Sequence, residues 1–181
     1  MTPANRALTL HDPWKSFLQE LDSLLSEEVA LHCLGGFVLA VLYKLPRPTA
    51  DVDYVNINPL PAQEHLLTIA GLGSRLAKKH KLYLQRASVA DLPYNYEDRL
   101  AELDLRLHHL RIFTLEIYDL VLSKICSPRP KDFEDAKYLI TTQNLVYDIL
   151  YARWQSDLQS LVPHPERHET TLRLLKDYFP H

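Results

Sequence analysis

The sequence predicts an α/β (α+β) fold in which a mixed β-sheet flanked by helices is followed by a helical C-terminal half. Three observations carry this. Short β-compatible runs at residues 29–34, 51–55, 82–89 and 110–115 are interleaved with helical stretches. From Ile117 onward the periodicity is helical, broken by Pro128, Pro130, Pro163 and Pro165. At 181 residues and 46% hydrophobic, the chain can bury one sizeable core and is too short for two comfortable domains. One compact domain over 1–181 is expected, with an α/β core at 1–115 and a helical part at 116–181.

In chain order, Asp12-Pro13 reads as an N-cap and first helical position, opening a helix to about Glu28 with Trp14, Phe17, Leu18, Leu21, Leu24 and Leu25 on one face. The strand at 29–34 runs into Gly35-Gly36, and residues 37–45 are apolar on nearly every side, as a buried helix requires. Pro46 and Pro48 end that helix, and Asp51-Val52-Asp53-Tyr54-Val55 is the next strand. After Pro59 and Pro61 comes an amphipathic helix to about Lys79 carrying Leu66, Leu67, Ile69, Leu72 and Leu76. Its basic end, Arg75, Lys78, Lys79, His80 and Lys81, suits a helix C-terminus, with an RNA-facing patch as the lesser reading. Residues 82–89 alternate as a strand, 99–107 mix both periods, and 110–115 are rich in β-formers. Helices are expected at about 117–126, 131–142, 145–161 and 166–178.

The chemistry concentrates in residues 34–55. Side chains alternate faces along a strand, so Asp51 and Asp53 point the same way and form a ligand pair for a hard divalent cation. Gly35-Gly36 lets the backbone turn sharply and lie close to a phosphate, with the amides of the following helix facing the anion. Arg47 and Thr49 approach the carboxylates with a guanidinium and a hydroxyl suited to phosphate oxygens.

This ordered set resembles the nucleotidyltransferase superfamily with the DNA-polymerase-β-type catalytic fold. Arg47-Pro48-Thr49-Ala50-Asp51-Val52-Asp53 is similar to the Arg-x-Thr-x-Asp-x-Asp signature of bacterial minimal nucleotidyltransferases, among them abortive-infection type IV toxins, tRNA-end-modifying toxins and a related family of uncharacterised function. The last fits best, because Tyr96-Glu97-Asp98-Arg99-Leu100, Asp119-Leu120 to Lys124, and Lys131-Asp132-Phe133-Glu134-Asp135 look like its later motifs.

The resemblance implies transfer of a nucleoside monophosphate from an NTP co-substrate to an acceptor hydroxyl, supported by Mg²⁺ or by Mn²⁺ in its place. The acceptor could be a tRNA 3′ end, a protein or a small molecule, and the chain could be the toxin partner of a cognate antitoxin. The alternative is a non-catalytic nucleotide- or partner-binding protein that keeps the fold. In the expected site Asp51 and Asp53 hold metal, while Gly35, Gly36, Arg47 and Thr49 meet the triphosphate. The resemblance adds Lys124 as a triphosphate ligand, against the bland reading of a solvated helix lysine, and Arg129 could extend that grip. Asp132 and Asp135 either cap a helix start or stand beside Lys124. Arg99 is expected in an ion pair with Glu97 or Asp135, or on a ligand. Asp104 and Glu116 are the candidates for a third carboxylate, and the general base stays open.

A net charge of −3 provides no global basic field for nucleic acid. Cys33 and Cys126 lack ligand spacing and read as buried, reduced thiols, and the nine histidines show no metal spacing. No signal-peptide pattern or membrane-length apolar run is evident, so a cytoplasmic protein without a membrane partner is expected.

Overall fold

The computed structural model describes residues 10–88, 90–127 and 129–180. Val89, Pro128 and His181 lie outside the described residues, and so does the N-terminal stretch searched for a signal peptide. The chain divides into two compact units, Met1–Ser88 with Leu100–Leu115, and Val89–Arg99 with Glu116–His181.

The first unit holds the sheet. Helix α1 (Trp14–Ser23) precedes strand β1 (Val29–Leu34), helix α2 (Gly35–Tyr43) and strand β2 (Asp51–Asn58). Helices α3 (Ala62–Ala70) and α4 (Arg75–His80) lead to β3 (Tyr83–Arg86), and β4 (Ala101–Leu103) and β5 (Leu110–Thr114) complete the unit. The sheet order is β3-β2-β1-β5-β4. Strand β1 is antiparallel to β2 and parallel to β5, β2 is parallel to β3, and β4 is antiparallel to β5. The sheet is therefore mixed, as the interleaved pattern requires.

Several elements are shorter than the sequence suggests, among them β3, which spans Tyr83–Arg86. Helix α1 stops at Ser23, five residues before Glu28, because Asp22 turns inward. Its carboxylate is 5% exposed and accepts the backbone amides of His108 (3.0 Å), His109 (2.7 Å) and Leu110 (2.8 Å), satisfying donors at the mouth of β5. The helix expected to run to Lys79 is two helices. The chain breaks at Gly71-Leu72-Gly73, and the Ser74 hydroxyl restarts it by accepting the Ala77 amide at 3.0 Å. The stretch 99–107 that mixed both periods begins at the end of a 3₁₀ turn (Tyr96–Arg99) and holds the short strand β4.

Burial of Asp22 raises its pKa, but the three amides outweigh that and hold it below the ordinary carboxylate value. The stabilisation from Asp22 is therefore complete above its unfolded pKa of about 3.9 and is lost as pH falls through the lower folded value. Asp22→Ala, which removes the acceptor of one buried amide (Leu110) and two part-buried ones (His108 and His109), is expected to cost about 2 kcal/mol at pH 7. In urea titrations the gap to wild type should shrink below about pH 4; a gap independent of pH would exclude the ionised carboxylate as its source.

The second unit is helical. Helices α5 (Ile117–Ile125), α6 (Pro130–Thr142), α7 (Tyr147–Arg153) and α8 (Pro165–Leu175) pack around Leu120, Val121, Leu122, Leu139, Leu150, Trp154, Leu158 and Leu172, all fully buried. Pro130 and Pro165 occupy first-turn positions, where the missing N–H is no loss. The expected helix at 145–161 starts at Tyr147 and widens into a π-helical turn at Trp154–Leu158. Among the described residues no helix is long and apolar enough to cross a membrane.

Candidate active site

The first unit brings Gly35, Gly36, Thr49, Asp51 and Asp53 together. Along β2, Val52 and Tyr54 are fully buried on one face, while Asp51 and Asp53 stand half-buried on the other. The β1–β2 register sets Leu34 opposite Asp53, so the chain leaves β1 alongside the carboxylates. Gly35 then turns with φ +76°, a conformation that L side chains rarely adopt, and a Cβ there would collide with Asp53 Oδ2. At Gly36 a Cβ would lie 2.8 Å from Thr49 Oγ1. Both glycines are thus required by close approach. The Thr49 hydroxyl donates to Asp51 Oδ1 and fixes that carboxylate.

Helix α2 holds the turn in place. Phe37, Val38 and Leu39 are fully buried, and Trp14 packs on Phe37 with ring centroids 5.0 Å apart. At its start Leu34 supplies no side-chain cap, which leaves the first-turn amides open to an anion. The helix ends at Tyr43, two residues before Leu45, because Lys44 enters the left-handed region at φ 57°. Arg47 lies half-buried in the connection to β2.

The donor set fits a hard cation. It offers two same-face carboxylates beside a cradle that excludes any Cβ. Among the described residues no three His, Cys, Asp or Glu side chains gather as a metal site, so this chain offers a pair. Asp104 is exposed just past β4. Glu116 caps α5 by accepting the Tyr118 amide at 3.0 Å and pairs with Arg153. Cys33, fully buried before the turn, has its thiol pKa pushed far up by burial and then by Asp53, which removes it as a nucleophile. Cys126 is likewise free, its pKa pushed up to about 12 by burial.

The second unit gathers Lys124, Arg129, Asp132 and Asp135. Lys124 is 5% exposed and is not a solvated helix lysine. Its Nζ lies 2.6 Å from Asp132 Oδ1 and 3.2 Å from Asp135 Oδ2. Asp132 also accepts Ser127 Oγ and Arg129 Nε, each at 2.5 Å. Burial raises the Asp132 pKa, yet these donors and the Lys124 charge bring it below the usual carboxylate value. Both acids stand beside the lysine, and Lys131 is exposed.

A family model described as a nucleotidyltransferase of unknown function (DUF6036) matches residues 15–177. The chain belongs to this nucleotidyltransferase family. No curated protein and no solved structure matches it.

Within this nucleotidyltransferase, Arg99 pairs with Asp119 at 2.8 Å and Asp157 at 3.2 Å, partners that its sequence neighbourhood did not suggest. Asp119 is fully buried and also takes Arg153 at 3.0 Å, so the acid of the Asp-Leu motif serves as the hub of two arginines. Sequence reasoning passed over Tyr83. The β2–β3 register sets it beside Asp51, and its phenol pKa is raised first by burial and then by Asp51 and Asp53. A spatial neighbour 32 positions away leaves no local signal.

The nucleotidyltransferase's glycine turn provides its own test. Gly35→Ala is expected to cost about 2 kcal/mol in backbone strain and to displace Asp53. Thermal melts should show the loss, together with weakened stabilisation by a Mg²⁺–NTP complex. An unchanged melt would mean that the turn does not need glycine.

Proposed function

We propose that this protein is a Mg²⁺-dependent nucleotidyltransferase that moves an NMP from an NTP to an acceptor hydroxyl on a tRNA 3′ end, a protein or a small molecule. The observation that carries this reading is the fit of the Gly35-Gly36 turn against Thr49 and Asp53, which leaves no room for a Cβ at either glycine. In this reading Asp51 and Asp53 hold the ion, which when bound would polarise phosphoryl oxygens and offset developing charge. Thr49 fixes the Asp51 carboxylate by its hydrogen bond. The open amides at the start of α2 receive triphosphate oxygens, with Arg47 supplying positive charge nearby. The acceptor oxygen forms a bond to the α-phosphorus, and the bond from that phosphorus to the bridging oxygen breaks. Its electron pair leaves on pyrophosphate, and the acceptor's proton passes to the water that the half-exposed carboxylates face.

The test is incubation with each α-³²P-labelled NTP, Mg²⁺ and total cell extract, resolved for labelled RNA and protein, with Asp51→Ala as control. Label on one species that the variant does not produce is the expected result. The rival reading, a nucleotide-binding protein without turnover, draws on the two-carboxylate donor set. Nucleotide binding without label transfer or pyrophosphate release would favour it.

A further inference from the structure

Strand β2 lies between β1 and β3, so the carboxylate pair has two flanks. On the β1 side stands the Gly35-Gly36 turn, packed against Asp53 and Thr49. On the β3 side, the parallel register places Tyr83 beside Asp51 and Gln85 beside Asp53. In-register neighbours of adjacent strands share a face, and burial agrees: Leu84 is 1% exposed on the core side, whereas Tyr83 is half-buried and Gln85 exposed. The face that presents the two aspartates therefore continues onto a phenol.

In-line displacement at phosphorus sets the attacking and leaving oxygens on opposite sides. The amides that suit the departing pyrophosphate stand on the β1 flank, which leaves the β3 flank to the nucleophile. We infer that Tyr83 is the acceptor-side residue of this site, its hydroxyl holding the attacking hydroxyl of the acceptor in line with the α-phosphorus. The inference rests on the nucleotidyltransferase reading above. A phenol offers one donor and one acceptor, so its hydroxyl can orient the acceptor hydroxyl by a hydrogen bond.

The test uses Tyr83→Phe, which keeps the ring and removes the hydroxyl. Nucleotide affinity is read with a fluorescent ATP analogue and Mg²⁺, transfer with the α-³²P-labelled NTPs and total cell extract, and folding by thermal melt. The expected result is an unchanged melt, nucleotide affinity within twofold of wild type, and transfer reduced about ten- to hundredfold, as misplacement of a reacting group produces. Equal transfer by variant and wild type would overturn the role of Tyr83 and leave the nucleotidyltransferase reading intact. A parallel loss of nucleotide affinity would overturn it too, placing Tyr83 on the nucleotide. Absence of label with wild type and all four NTPs would overturn both.

Discussion

Alanine at Asp51 or at Asp53 is expected to lower NMP transfer by at least about 10³-fold, the loss that follows when roughly 4 kcal/mol of charge stabilisation disappears from the transition state. Neither change should harm the fold. Both carboxylates stand half-buried on the face opposite Val52 and Tyr54, so their loss opens no core cavity and relieves repulsion between two like charges. The melting temperature without nucleotide should stay at or slightly above the wild-type value. The response to ligand should differ: at 100 times the dissociation constant a bound Mg²⁺–NTP complex stabilises the folded state by about 2.7 kcal/mol, and that increment should vanish in the variants. Wild-type transfer in either variant would end the metal assignment. A ligand-dependent shift that survives in both would move nucleotide binding away from the carboxylate pair.

Lys124→Ala is expected to give the largest stability loss, about 3–5 kcal/mol, because it leaves Asp132 and Asp135 as buried carboxylates without their cation. Arg129 is exposed where it pairs with Asp132, so it replaces little of the buried charge. Asp132 has its folded pKa depressed, and its stabilising contribution is present above the unfolded pKa near 3.9 and lost as pH falls through the folded value. The penalty of the variant should therefore shrink toward pH 4, where Asp132 takes up a proton. Adding Asp132→Asn and Asp135→Asn to Lys124→Ala should restore part of the loss at pH 7. A pH-independent penalty with no rescue would show that the lysine acts through packing of its aliphatic stem. Nucleotide affinity of the refolded triple variant then separates two roles: a fall supports Lys124 as a triphosphate ligand, and no change assigns it to holding α5 against α6.

What could be read in the sequence was local. The Gly-Gly turn, the apolar helix, the proline stop and the same-face aspartates lie within 34–55, where backbone freedom, periodicity and strand alternation act between near neighbours. The mixed sheet and helical second half followed from the same rules, while the family was suggested by the resemblance of the ordered motifs and shown by the matching family model. What the sequence did not show depends on residues far apart in the chain. The break at Gly71-Leu72-Gly73 was hidden inside a continuous apolar period, and Ser74 shows itself as a cap only through its bond to Ala77. Asp22 drew no reading from its local sequence, yet it accepts the amides of residues 108–110. Lys124 was expected on a triphosphate, with a solvated lysine as the alternative, and only the packing of α5 on α6 surrounded it with two acids. Tyr83 acquired its place from the pairing of β3 with β2. By itself the sequence determined which residues of metal- and phosphate-ligating chemistry stand close together in the chain, because that is carried by residue type and short spacing. The tertiary structure decided which charges are buried and paired and which side chain flanks the carboxylates, because burial and strand register arise only when distant segments share one core.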